Sequence, residues 1–175
     1  LAQGKDACFN QNNIDVGTSS CHGAQSCTHV RDITIGNDSC HGNLDVCHSV
    51  QQSTIHDGSC RCDGDSDYYC RGCQDVLNSI IGKGSCNVGN SACLSVQSSI
   101  IHDGSCHGYS SCLHLLNSTI HDGSCHGDHG HCCEYVKNAI IGKGSCNGGH
   151  NGGSCAGLEN KKIGNNSCNN GKDTN

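Results

Sequence analysis

The side chains of this chain best equipped for chemistry are histidine, aspartate and cysteine, and they crowd together. The stretch "STIHDGSCHGDHGHCC", Ser118 to Cys133, holds four His, two Asp and three Cys in sixteen residues. These are the ligand types of a transition-metal site. His129 and His131 add local density, but no tetrahedral ligand set can be named. A zinc knuckle needs two C-x₂₋₄-C pairs. Only Cys70-Arg-Gly-Cys73 has that spacing, and it lacks a second knuckle. A different candidate lies in "RCDGDSDYYCRG", residues 61–72, where Asp63, Asp65 and Asp67 alternate as at the start of a calcium loop. The EF-hand pattern then fails, with Tyr68 at position six and Gln74 at position twelve. The plain reading is an acidic solvated loop. A weak calcium site held by a Cys62–Cys70 bridge is the alternative, and calcium is the one cofactor put forward.

The elements that position these residues are repeats. "IIHDGSCHG" at Ile100–Gly108 comes back in the stretch above, and the cysteines show why. Blocks 8–21, 27–40, 47–60, 73–86, 93–106, 112–125, 133–146 and 155–168 each open and close on Cys, thirteen positions apart. The residue before each closing Cys is always Ser, from Ser20 to Ser167. Five positions before it stands Val16, Ile35, Ile55, Ile81, Ile101, Ile120, Ile141 or Ile163. Ten before it stands Gln11, then Val or Leu in every later block, from Val30 to Leu158. After each Ile comes a turn such as "IHDGSC" or "IGKGSC", whose Gly, Asn and Asp take unusual backbone angles cheaply. Only the linkers vary in length, and 61–72 is the long insertion.

A period near 20 residues with one Ile, one Val and two Cys is that of a stacked coil, too small to bury anything alone. The expected fold is all-β: a disulfide-rich β-solenoid of about eight coils, one domain over residues 1–175. Ile, Val and Cys should point inward and Asn, Asp, Lys, Ser and His outward. A helical reading fails, because "CLSVQSSIIHDGSC" has no i, i+3, i+4, i+7 stripe.

Composition agrees. Aromatics are 3%, Trp and Met are absent, Gly is 25 of 175 and mean hydropathy is −0.48. An ordinary core cannot be built from this, yet 19 Cys mark a disulfide scaffold. Disulfides persist in oxidising compartments, so an extracellular, secreted chain is expected. The start at Leu1 fits a processed product or a portion of a longer chain. No apolar run is long enough for membrane insertion. A net charge of −6 without a basic cluster argues against nucleic acid as a partner.

"IGKGSCNVGNSACLSVQSSIIHDGSCHGYSSC" resembles the short cysteine-rich tandem repeats, IGxxSCxGxxAC in form, of secreted surface and filament proteins of algae and protists. The similarity runs from Cys8 to Cys168. It implies a structural subunit of an extracellular, glycosylated filament or surface coat, with no catalytic residues.

Spacing alone does not fix which cysteines pair. The preferred scheme joins the ends of each block: Cys8–Cys21, Cys27–Cys40, Cys47–Cys60, Cys73–Cys86, Cys93–Cys106, Cys112–Cys125, Cys133–Cys146 and Cys155–Cys168, with Cys62–Cys70 in the insertion. Cys132 is then spare and available to lock a lateral neighbour. The other scheme pairs across the linkers and strands Cys8 and Cys168, but its partners climb less along the axis. The histidines follow the repeat: His22/His41, His107/His126 and His102/His121 should stack one coil apart, about 4.8 Å. They form either metal-binding pairs or a solvated column in which Asn87, Asn147 and Asn169 serve equally well. N-glycan acceptors are Asn37, Asn117 and Asn165, each in N-x-[ST].

Every candidate nucleophile recurs with the repeat, and bridged cysteines are not nucleophiles, so an enzyme is not expected. The expected partners are N-glycans and further copies of the chain, joined head to tail as a homopolymer. A secreted adhesin or ligand-binding module is the alternative. An ice-binding solenoid ranks lower, because the outward column Asp15, Thr34, Thr54, Ile80, Ile100, Thr119, Ile140, Lys162 is not a clean Thr ladder.

Overall fold

The computed structural model describes residues 13–23, 26–28, 30–42, 46–62, 72–87, 92–108, 111–127, 132–148 and 154–169. Each block supplies one short strand centred on its ladder residue. These are β1 (Ile14–Val16), β2 (Ile33–Ile35), β3 (Thr54–Ile55), β4 (Ile80–Ile81), β5 (Ile100–Ile101), β6 (Thr119–Ile120), β7 (Ile140–Ile141) and β8 (Lys162–Ile163). They form one parallel sheet in sequence order, the topology of a β-solenoid. Register is like on like: Ile55 pairs with Ile81, Ile81 with Ile101 and Ile101 with Ile120. Among the described residues there is no helix, and none is long and apolar enough to cross a membrane.

The core is built from columns. Ile35, Ile55, Ile81, Ile101, Ile120 and Ile141 form one, and Val30, Val50, Val76, Val96, Leu115 and Val136 another, all essentially sealed from solvent. The expected inward positions of Ile, Val and Cys hold in these rungs.

Serine departs from expectation. Ser20, Ser39, Ser59, Ser85, Ser105, Ser124 and Ser145 are fully buried rather than outward. Each hydroxyl accepts the backbone N–H of the equivalent Ser one coil on, at 3.0–3.4 Å. Each also donates to the carbonyl following that coil's Ile, at 2.5–2.8 Å. A hydroxyl with both functions satisfied can be buried at little cost, whereas an unpaired one cannot. Ser also lacks the bulk that would push coils apart. Together these explain why that position never varies.

The disulfides correct the preferred pairing. The bonds are Cys21–Cys27, Cys40–Cys47, Cys60–Cys73, Cys86–Cys93, Cys106–Cys112, Cys125–Cys133 and Cys146–Cys155. Each closing Cys thus meets the next opening Cys across the linker. The expected Cys8–Cys21, Cys27–Cys40, Cys47–Cys60, Cys73–Cys86, Cys93–Cys106, Cys112–Cys125, Cys133–Cys146 and Cys155–Cys168 do not form. Closing cysteines stack in one column, as Cys21 N–H donates to Ser39 O and Cys40 N–H to Ser59 O, and opening cysteines stack in a second column beside it. Bonded partners lie in one coil with Cα atoms 5.4–6.1 Å apart. The two ends of one block are offset by a further coil. With a rise of about 4.8 Å, that diagonal is about 7.4 Å, beyond the usual bridging range. Cys62 is disulfide-bonded. Cys70, its expected partner, and Cys8 lie outside the described residues. Cys168 is a thiol.

The turns behave as their composition predicts. The third residue after the ladder position has positive φ in every coil: Ser19, Asp38, Gly58, Gly84, Gly104, Gly123, Gly144 and Asn166. Both cysteine columns share this left-handed conformation, with φ between 52° and 67° from Cys21 to Cys168. For an L-residue this costs roughly 1–2 kcal/mol. The chain turns sharply at both ends of each linker, and the disulfide holds those corners.

Candidate functional site

Three surfaces carry the residues singled out above. The first is the histidine column. Ring centroids are 5.0 Å apart for His22/His41, 5.0 Å for His102/His121 and 5.4 Å for His107/His126, as the coil spacing requires. The Asn members of the post-cysteine column are more than substitutes. Asn147 Oδ1 accepts from His126 N–H at 2.9 Å, and its Nδ2 donates to Gly123 O at 3.0 Å. Asn87 and Asn169 repeat this geometry with Gly58 and Gly144. His126 Nε2 reaches the equivalent Gly104 O at 2.5 Å. A ring nitrogen spent on a carbonyl of the preceding turn makes His126, like the Asn members, a clamp between coils. His102 lies 4.0 Å from Asp122, and Asp122 in turn lies 3.8 Å from Lys143. The cation in this group is already supplied by a side chain.

Cysteine chemistry is spent on structure. Among the described residues, Cys112, Cys125 and Cys133 bring three sulfurs within 4.8 Å. Cys125 is bonded to Cys133 and Cys112 to Cys106, so these are stacked disulfides rather than thiolate ligands. Cys132 is fully buried, and its thiol donates to His126 O at 3.2 Å and Gly148 O at 3.0 Å. From the same position before an opening Cys, Ser111 and Ser154 make the equivalent of the first bond, to His107 O and Asn147 O, and Ser26 the equivalent of the second, to Gly42 O. This overturns the idea that Cys132 locks a lateral neighbour: it stands in for a serine inside the coil.

The second surface holds the three Asn residues expected to accept glycans. Asn37, Asn117 and Asn165 are all exposed. Asn37 Oδ1 accepts from Thr18 N–H at 2.8 Å, and Asn165 Oδ1 from Lys143 N–H at 3.0 Å. Both amides are thereby oriented at the same corner of their coils. The acidic residues Asp63, Asp65 and Asp67, like His129 and His131, lie outside the described residues.

The third surface is the outer face of the sheet. Ile80, Ile100 and Ile140 stand on it at 44%, 42% and 42% exposure. The sequence already places these isoleucines in the outward column, where they break a Thr ladder. Strand alternation around the buried Ile81, Ile101 and Ile141 was the available signal. Toward β1 the same face carries an open groove of about 520 Å³, lined by Asp15, Asp32, Thr34, Gln52 and Thr54 among others.

In comparisons with known proteins, the family described as a domain of unknown function, DUF7640, matches residues 62–151, just over half of the 175-residue chain. No curated protein and no solved structure matches.

Proposed function

This chain belongs to the DUF7640 family, whose function is unknown, and we propose that this member is a structural subunit of an extracellular, N-glycosylated filament or surface coat, assembling head to tail. The observation that carries this reading is the match between the two edges of the sheet. With β8 of one copy over β1 of the next, the ladder, outward and serine columns continue. Ile163 lies by Val16, Ser167 by Ser20, and Lys162 by the oppositely charged Asp15. Ser167 is then placed to give Ser20 the bonds that each serine gives the next within the chain. Such a contact is heterologous and non-closing, and contacts of that kind propagate. Open strand edges recruit further strands.

The remaining features fit the same role. Disulfides suit an oxidising, extracellular setting. Exposed Asn37, Asn117 and Asn165 are the proposed glycan acceptors. Fourteen cysteines paired across the linkers and a histidine, His126, used as a coil clamp support a non-catalytic chain. The open groove near β1 favours a second reading, a monomeric adhesin or ligand-binding module. The test is light scattering with negative-stain imaging of the purified, oxidised protein. The proposal expects fibres one solenoid wide that lengthen with concentration. A monomer stable across concentrations overturns it and favours the adhesin. A closed dimer that grows no further also overturns it.

A further inference from the structure

One outward column is apolar in its middle and oppositely charged at its two ends. In coil order it reads Asp15, Thr34, Thr54, Ile80, Ile100, Thr119, Ile140 and Lys162, each paired in register with the next. The three isoleucines keep more than two fifths of their surface exposed. Asp15, Lys162 and Thr34 are exposed as well. A solvated sheet face ordinarily carries polar side chains, so a line of exposed Ile marks a contact surface.

The occupant is narrowed by spacing and by charge. The column places one side chain every 4.8 Å or so along about 34 Å. A partner in register over that length needs the same repeat, and a second copy has it. The column is also complementary to itself read backwards. Consider a two-fold axis lying in the contact plane, parallel to the strands, between β4 and β5. It sets two sheets face to face with their coil axes antiparallel. Asp15 then faces Lys162, Thr34 faces Ile140, Thr54 faces Thr119 and Ile80 faces Ile100, each pair occurring twice. In the neighbouring column His102 meets Gly82, which leaves room for the ring, and His56 meets His121. The opposite orientation, with axes parallel, sets Asp15 against Asp15 and Lys162 against Lys162.

We propose that this face pairs two copies of the chain, antiparallel, in an isologous contact centred on Ile80 and Ile100. The pairing needs no end-to-end assembly. It would join single subunits, or cross-link neighbouring fibres if these form. The face is one strand wide, so it buries less than the roughly 800 Å² per partner of a standard interface. Association is expected to be weak, in the micromolar range or above, and weakened further by salt at its charged ends. Asn117 sits on the rim, two residues before Thr119, so a glycan there would cap the face and set which chains can pair.

Asp15 and Lys162 would also meet in an end-to-end joint, so the test uses interior positions. Sedimentation equilibrium is run on the oxidised protein carrying Asn117→Gln, with retained disulfides and circular dichroism checking the fold of each variant. A reversible dimer is expected, weakened about tenfold or more by Ile100→Lys, which puts charges at the centre of the contact. Ile140→Lys and Thr34→Asp should each weaken it. Combined, they should restore it to within about threefold, since positions 34 and 140 face each other only across the antiparallel contact. In one copy these positions are five coils, about 24 Å, apart. A zero-length carbodiimide coupling between them in the combined variant would therefore be intermolecular. Monomer at every concentration, a dimer indifferent to Ile100→Lys, or failure of the combined variant to rescue overturns the proposal. Fibres with no lateral dimer that responds to Ile100→Lys would sink only this inference, and a dimer without fibres only the head-to-tail reading.

Discussion

The two flanks of each coil are held by different physics. On the strand flank, the distance from ladder residue to closing Cys is five positions in every block. Backbone pairing, a buried Ile and a doubly bonded Ser fix each residue there. On the cysteine flank, the chain leaves at a closing Cys and returns to the next opening Cys after 6 to 13 positions. A hydrogen-bond ladder needs every residue in register, so one extra residue breaks it. A disulfide needs only two Cα atoms to return to bonding range, and loop-closure entropy grows slowly with length. Length variation, including the 61–72 insertion, is therefore confined to the disulfide flank.

Changes on the two flanks should be felt very differently. The largest effect is expected from Ile101→Asp on the strand flank. Ile101 is fully buried between Ile81 and Ile120. An unpaired buried carboxylate costs about 3–5 kcal/mol or more, so the folded protein should be lost. A variant that melts like the parent would show that this flank does not carry the core.

On the other flank, replacing Cys86 and Cys93 together by Ala should cost about 2.5 kcal/mol, and replacing Cys60 and Cys73 about 3 kcal/mol, by loop entropy. Denaturant midpoints measure both. The same double change to Gly should recover about 1 kcal/mol per site, because these positions are left-handed. EDTA at neutral pH should leave the midpoint unchanged, and a shift would mean that a metal shares the work of the disulfides.

Ser105→Ala tests the hydroxyl ladder. It leaves Ser124 N–H and His121 O without their partner and should cost about 1–3 kcal/mol. A neutral result would assign the serine to size alone. The smallest effect should come from two glycines inserted between Cys86 and Cys93, about 0.3 kcal/mol from loop length. The same insertion between Ile101 and Cys106 should abolish folding. Equal effects at the two places would remove the distinction between flanks.

Much of this was legible in the residues. The fourteen-residue blocks, the Ile and Val columns and the turn residues repeat once per coil, the histidine pairs recur at fixed block positions, and a feature tied to the coil has only one way to stack. The buried serines were visible as an unvarying column, but polarity pointed outward. Only the neighbouring coil's N–H and carbonyl show how the hydroxyl is satisfied. The exposed Ile80, Ile100 and Ile140 each stand beside a buried Ile, and aligning the blocks told the two apart, because the inner position is β-branched and apolar in every block while the outer one also takes Asp, Thr and Lys.

The sequence by itself determined the period, and with it a parallel stack of small coils stapled by cysteine. Tertiary structure decided which sulfurs meet and that the polar serines face inward. The physical reason is the rise per coil. Cys27 to Cys40 and Cys40 to Cys47 are both short separations along the chain, yet one crosses a coil and the other stays within it, so only the second closes a bond.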